Sequence, residues 1–340
     1  MTLEIVFLGT SGAVPTKERN TSAIYGSAQG TSFLLDCGEN TQKQLMQHQG
    51  LSFFPEFIVI THNHIDHHAG LIPYLSSQNL LNRTKKLKLY APDPSYLQDI
   101  GNSFKSNFWT NLSYPVQFIQ IMEDIEYIQD NQLFLKFIKV EHTILCYAVY
   151  VESLNNTTYD KKMLMDWGNA EQRKALISEG RYTKQNQLYR VQDFIKNETA
   201  LYKILYSSDT VPLKKLFFIV KQDPNCVLIH QCTYFFDEDY DQAKKHKHTH
   251  IKDIVEIRGT LSKSSKVILT HFGNRTSQNH IKRISPALAN LGIILALDHM
   301  RIKINTKKEL FEVTPPQENN SRSTQKENLH GNTSIKNSPQ

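Results

Sequence analysis

The sequence predicts an α/β protein whose strands deliver their ends to a common rim, and three observations carry that reading. The apolar run Phe57 to Ile60 reads as a buried strand, and Leu71-Ile72-Pro73-Tyr74-Leu75 begins a helix-like pattern, so the residues between them occupy a strand-to-helix loop. That loop is Thr61-His62-Asn63-His64-Ile65-Asp66-His67-His68-Ala69-Gly70. Further along, three short β-rich runs stop and a ligand type follows at once. Lys203 to Tyr206 leads into Ser207-Ser208-Asp209-Thr210, Cys226 to Ile229 into His230-Gln231-Cys232-Thr233, and Lys266 to Thr270 into His271. Layered α/β architectures gather strand ends at one edge, where sites are assembled, so these run-ends are expected to converge.

The histidine loop is the centre of the functional reading. His62, His64, Asp66 and His67 put three imidazoles and a carboxylate within six residues, more donors than one tetrahedral ion uses. They suit two borderline metals held side by side. A polar, His-rich surface loop is the alternative for the same stretch.

At 340 residues the chain suits one large domain or a domain with an insertion. Its 39% hydrophobic and 21% charged content is that of a somewhat polar globular protein. A net charge of +6 permits an anionic partner, but the basic residues are scattered and do not demand one. Cys37, Cys146, Cys226 and Cys232 lie far apart with no C-x-x-C spacing, the usage of reduced thiols in an intracellular protein. The chain starts on the strand-like Leu3 to Leu8, and no apolar segment has the length of a bilayer span. A cytoplasmic protein, neither secreted nor membrane-inserted, is expected.

Along the chain, Leu3 to Leu8 is followed by Gly9-Thr10-Ser11-Gly12-Ala13-Val14-Pro15, a tight loop. Strands follow at Ser22 to Tyr25 and Thr31 to Leu35, the second ending in Asp36-Cys37-Gly38-Glu39. Asp36 either orients a ligand histidine by accepting its second N–H or forms a turn before glycine. Strands recur at Leu87 to Tyr90, Val116 to Ile121, Leu133 to Val140 and Tyr147 to Val151. The last two bracket His142, a structural histidine or a ligand. From 152 to 202 the strand pattern stops, and Asp160 to Ala175 and Gln192 to Tyr202 read as helices of an inserted arm. The domain is expected over 1–312, with a disordered polar tail over 313–340.

Several runs form one recognisable set. They are F-L-G-T-S-G-A-V-P-T from Phe7 with Arg19-Asn20, L-L-D-C-G-E-N-T-Q-K-Q-L-M from Leu34, T-H-N-H-I-D-H-H-A-G, Glu141-His142, Y-S-S-D-T from Tyr206, H-Q-C-T from His230 with His248-Thr249 downstream, and L-T-H-F-G-N-R from Leu269. Together they resemble the metallo-β-lactamase superfamily and, within it, ribonuclease Z, the endonuclease that trims 3′ trailers from precursor tRNA. The resemblance runs to about Ile304 and implies an αββα sandwich of two mixed β-sheets flanked by helices.

The same resemblance implies that His62, His64 and His142 hold one zinc and Asp66, His67 and His271 the other, with Asp209 bridging both. The chemistry this implies is a metal-dependent phosphodiester hydrolysis in which Asp66 orients or deprotonates the nucleophile. Manganese or iron would be accepted by the same donors. His248 corresponds to the family's leaving-group acid, and Gln231 stands where the family has a supporting glutamate. A glutamine can hydrogen-bond an imidazole but brings no charge to stabilise imidazolium. The stretch His246 to His250 can also be read as a solvated basic helix start. Arg275 is a candidate phosphate clamp or an ordinary surface arginine, and Ser208 and Thr210 are candidate hydroxyl donors or turn residues. His230 is carried as a candidate near the site. A homodimer is implied, since in the family one subunit's arm holds substrate at the other's site. Residues 152–202 lack the family's glycine-rich arm sequence, having only Gly168 and Gly180. Besides precursor tRNA, a small phosphodiester such as a cyclic nucleotide fits the same site. A catalytically weakened, metal-bound nucleic-acid-binding homologue is the reading from another class.

Overall fold

The computed structural model describes residues 2–28, 30–104, 108–123, 126–129, 133–223, 225–305 and 310–316. The chain runs through β1 (Leu3–Gly9), β2 (Ala23–Ala28), β3 (Thr31–Leu35), α1 (Thr41–Met46), β4 (Phe57–Val59), α2 (Ile65–His68), α3 (Leu71–Leu80), β5 (Leu87–Ala91), α4 (Pro94–Phe104) and β6 (Val116–Gln120). It continues through β7 (Glu126–Gln129), β8 (Leu133–Val140), β9 (Cys146–Tyr159), α5 (Lys161–Trp167), α6 (Ala170–Glu179), β10 (Arg181–Lys184), β11 (Gln187–Arg190) and β12 (Ile195–Tyr206). The remaining elements are α7 (Lys214–Gln222), β13 (Cys226–Gln231), α8 (Tyr240–Lys245), α9 (Ile251–Arg258), β14 (Val267–Thr270), α10 (Gln278–Asn290), β15 (Ile293–Leu295), β16 (Arg301–Asn305) and β17 (Leu310–Thr314).

Two mixed sheets result, in the orders β17-β16-β1-β2-β3-β4-β5-β6 and β15-β14-β13-β12-β9-β8-β7. The strands read as continuous apolar runs because both faces are buried. In β1, Leu3, Ile5 and Phe7 point between the sheets, where they meet Leu133, Leu135 and Phe137 of β8 and Ile204 and Tyr206 of β12. Val6 and Leu8 point the other way, onto Leu45 of α1, Tyr74 and Leu75 of α3 and Leu97 of α4. The second sheet repeats the device, with Leu205, Leu228 and Leu269 packed on Leu216 and Phe217 of α7, Ile254 of α9 and Ile281 of α10. The layers are therefore helix, sheet, sheet, helix, the expected αββα sandwich. Among the described residues no helix is long and apolar enough to cross a membrane. All four cysteines are buried and free.

The structure overturns the expectation that strands stop at residue 152. β9 runs to Tyr159 and β12 begins at Ile195, and the two pair antiparallel along their length, from Ile195↔Tyr159 to Tyr206↔Val149. Gln192 to Tyr202, expected as a helix, is mostly strand. The outer part of this ribbon is polar in sequence because it leaves the sandwich. Backbone pairing joins its two strands, and its polar sequence carries no period-two signal. The helix expected over Asp160 to Ala175 is present but divided, since α5 stops before Gly168 and Asn169 starts α6 with a reciprocal capping box to Gln172. These helices and the β10–β11 hairpin enclose a small core of Leu164, Leu176, Val191 and Phe194, with Trp167 packed against it.

The boundary at 312 also shifts. Val313 pairs with Ile302 in β17, so the sheet continues through Thr314; an edge strand needs backbone partners more than apolar side chains. Residues 317–340, where the tail is expected, lie outside the described residues.

Candidate metal centre

The parallel strands β3, β4, β12, β13 and β14 end at one rim, and the β8–β9 connection joins them there. Asp36 follows β3, His62 and His64 follow β4, Asp209 follows β12, and His271 follows β14. Asp36, Ser208 and His271 each turn out of their strand with positive φ, of 61°, 52° and 62°. Residues other than glycine adopt this conformation at a cost, and such positions concentrate at functional sites. The backbone also closes around the histidine loop. Cys37 N donates to His67 O at 2.8 Å, and Gly70 N donates to Cys37 O at 3.0 Å. A Cβ on Gly70 would fall 2.0 Å from Gly38 O, and one on Gly12 would fall 2.6 Å from the His271 ring, so both positions need glycine.

Two groups of donor atoms result, and a third, of Asp209, His248 and His271, overlaps them. In one, His62 Nε2 and His142 Nε2 each lie 3.1 Å from His64 Nδ1. Asp209 Oδ2 is 3.7 Å from His62 Nε2 and 3.9 Å from His142 Nε2. In the other, His271 Nε2 lies 3.3 Å from both His67 Nε2 and Asp66 Oδ2, and His67 Nε2 lies 3.5 Å from Asp66 Oδ2. Asp209 Oδ2 faces this group too, 3.4 Å from His67 Nε2 and 3.3 Å from His271 Nε2. Ligands at about 2.0–2.1 Å from a tetrahedral zinc are separated by roughly 3.3 Å. The observed spacings are those of donors around metal, with the Asp209 carboxylate facing both groups.

The second nitrogen of four of the five imidazoles fits the same reading. His67 Nδ1 is 2.8 Å from Asp36 Oδ2, His142 Nδ1 is 3.2 Å from Lys247 O, and His271 Nδ1 is 3.1 Å from Thr233 Oγ1. His62 Nδ1 is 3.2 Å from Thr61 Oγ1. Each of these rings can thus donate one N–H to oxygen and turn its other nitrogen to the centre, the arrangement seen around metal ligands. Asp209 Oδ1 is buried without a hydrogen-bond partner, as expected of a carboxylate meant for a cation. The donor set therefore fits a metal cofactor.

The electrostatics are those of a buried carboxylate–imidazole cluster. Burial would raise the Asp209 carboxyl, but His271, His67 and His248 hold it well below the usual carboxylate range. Burial opposes charge on His67 as well, yet Asp66, Asp36 and Asp209 hold its pKa well above the ordinary histidine value. Burial lowers His62 well below that value, with neighbouring His67 adding to the effect. Asp36 is the hub beneath. It accepts from Thr61 N at 2.8 Å, Thr61 Oγ1 at 2.9 Å and Tyr206 OH at 2.9 Å as well as from His67. The orienting alternative, not the turn alone, describes its contacts. Ser208 Oγ donates to Thr61 Oγ1 at 2.6 Å, so it braces this hub.

Three expectations need correction. Arg275 lies away from the cluster: its guanidinium pairs with Glu238 and Asp239, and its side chain is 59% exposed. Two carboxylates on the neighbouring turn claim the fork expected for phosphate. His230 points to the opposite face of β13, stacked on Phe217 at 5.3 Å, because strand side chains alternate and Ile229 and Gln231 take the inner side. Burial pushes its pKa down to about 4. Gln231 makes no direct contact with His248. Its Nε2 donates to Thr210 O and its Oε1 accepts from Thr233 Oγ1 at 2.9 Å; Thr233 is the residue that reaches His248 Nδ1, at 3.3 Å. His248 itself lies at the rim, its ring stacked on His271 at 5.5 Å, and burial pushes its pKa down to about 3. Thr233 was missed in the sequence because a threonine after a strand is an ordinary turn residue; its position inside H-Q-C-T was the available signal.

Comparison with known proteins agrees with this geometry. Residues 3–177 match the family model described as Anti-Pycsar protein Apyc1. A ribonuclease Z of Methanocaldococcus jannaschii is 30% identical over 279 residues, covering 80% of this chain and 86% of that protein. Among solved structures, the human tRNase Z short form superposes with a TM-score of 0.58 at 24% identity, over 88% of this chain and 99% of that one. The Bacillus subtilis metallo-β-lactamase-fold protein YhfI gives 0.61 at 14% identity, over 89% of this chain and all of its own. By these matches the chain belongs to the ribonuclease Z family of metal-dependent hydrolases with the metallo-β-lactamase fold and, through residues 3–177, to the family described as Anti-Pycsar protein Apyc1.

Proposed function

We propose that this chain is a dinuclear-zinc phosphodiesterase that acts as an endoribonuclease, removing 3′ trailers from precursor tRNA in the cytoplasm as a homodimer. The observation that carries the reading is the pair of donor groups sharing Asp209 Oδ2. His62, His64 and His142 hold one ion in this reading, and Asp66, His67 and His271 the other. When bound, the two ions supply an activated water at neutral pH and neutralise charge on the attacking and leaving oxygens. Asp66 is held by accepting from Ala13 N at 2.8 Å, and it orients or deprotonates the nucleophile in this reading. His248, at the rim, passes a proton to the leaving oxygen. RNA as substrate is supported by the ribonuclease Z relatives, whose likeness spans most of this chain.

A second reading, a small phosphodiester such as a cyclic nucleotide, is favoured by an arm built of two helices and a hairpin around its own small core, with two glycines. Cleavage mapping on a precursor tRNA with a 3′ trailer, with and without zinc, separates the two when run beside a chromogenic phosphodiester. The leading reading expects zinc-dependent cutting at the trailer junction. Hydrolysis of the small diester with the tRNA left intact would replace it with the second. A His64→Ala variant is expected to lose both activities; full retention of either would remove His64 from the ligand set.

A further inference from the structure

The hydrogen bonds behind His271 and His248 form a chain that starts at the Thr210 carbonyl and ends on the two rings, whose other polar neighbours include the Asp66 and Asp209 carboxylates and His67. Thr210 O can only accept, so the Gln231 amide facing it must be the NH2 group, and Gln231 Oε1 then faces Thr233. That oxygen can only accept, so the Thr233 hydroxyl proton is committed to it. Thr233 Oγ1 is left with lone pairs toward His271 Nδ1 at 3.1 Å and His248 Nδ1 at 3.3 Å, so each ring bonds it only by donating from Nδ1. Nε2 is then bare on His271, where it faces Asp66, Asp209 and His67, and bare on His248.

We propose that Gln231 and Thr233 are positioning residues that together select the Nδ1–H tautomer of His271 and His248, leaving Nε2 of His271 free for a metal and Nε2 of His248 as the atom that takes up a proton and then gives it to the leaving oxygen. The inference rests on the metal-site reading above. It explains why glutamine is suited to position 231 in this chain. A glutamate there would set a carboxylate oxygen against the Thr210 carbonyl, inside a site where Gln231 is fully buried. Thr210 O already accepts from Thr249 Oγ1 at 2.9 Å, so the strand end is braced for a donor at 231.

The test compares Thr233→Ser, Thr233→Val, Gln231→Leu and Gln231→Glu in the full chain, by chelator competition for zinc and by imidazole nitrogen NMR on the zinc-loaded protein. Thr233→Ser keeps the hydroxyl and is expected to stay within a few-fold of the parent. Thr233→Val and Gln231→Leu should weaken one of the two zinc ions about 10- to 100-fold, the usual effect of losing a group that orients a ligand. Gln231→Glu should fall with them. The parent should show Nδ1–H on His248 and His271. If Thr233→Val folds and holds both ions as tightly as the parent, or if either parent ring carries its proton on Nε2, the proposal is overturned. Should Thr233→Val not fold, Gln231→Leu gives the same decision. A parent chain that binds no zinc at all would instead overturn the metal-site reading.

Discussion

At the scale of single residues, the centre is organised by what lies behind the ligands as much as by the ligands. Asp36 gathers a backbone N–H, a threonine hydroxyl, a tyrosine hydroxyl and the His67 ring around one buried carboxylate. Replacing it by asparagine puts an NH2 where an acceptor is required. Asp36→Asn is expected to lower zinc affinity about 10- to 100-fold, checked by chelator competition. It should also lower thermal stability, since a buried donor left without its acceptor costs about 1–3 kcal/mol. An unchanged affinity would reduce Asp36 to a turn residue.

At the scale of elements, the arm has a small core of its own, which rests on Phe134 of β8. Asp160 N donates to Phe194 O at 2.8 Å, so the two ends of the arm meet and its core of Leu164, Leu176, Val191 and Phe194 lies beyond that closure. Replacing residues 161–193 by a short glycine-serine turn should leave the sandwich folded and the chromogenic diester hydrolysed at near-parent rate. The KM for precursor tRNA should rise by tenfold or more; an unchanged KM would dissociate the arm from RNA binding. A second element-scale prediction concerns the joint between the end of α1 and β16. Arg301 Nη2 lies 3.1 Å from His48 Nδ1, and His48 Nε2 lies 2.9 Å from His299 Nδ1. Burial, with His299 and Arg301, pushes the His48 pKa down to about 4. The folded state therefore binds fewer protons than the unfolded state between about pH 4 and pH 6.5, so stability is lost as pH falls through that window. His48→Gln should flatten this part of the curve of Tm against pH; an unchanged slope assigns the acid sensitivity elsewhere.

At the scale of the whole molecule, seven side chains from four stretches of chain enclose one site, so a bound metal ties the two sheets together. Asp36 and the histidine loop belong to the first sheet, while His142, Asp209 and His271 belong to the second. Binding to the folded state alone stabilises it by about RT ln(1 + [L]/Kd). Removing metal with a chelator is expected to lower Tm by several degrees, and adding zinc back should restore it. A Tm indifferent to both would show that the sheets hold without the centre.

The amino-acid order alone determined the chemistry and the class of fold. The spacing of His62, His64, Asp66 and His67, and the habit of apolar runs ending on Asp209 or His271, are local facts, because ligand spacing and strand patterning are written along the chain. Only the tertiary structure decided which neighbours face inward. Strand alternation sends His230 to the helix side and Gln231 to the site, the turn carrying Glu238 and Asp239 takes Arg275, and cross-strand pairing makes a ribbon of a polar stretch that reads as helix. Those outcomes depend on partners distant in sequence, and a single chain of letters carries no record of which face meets which partner.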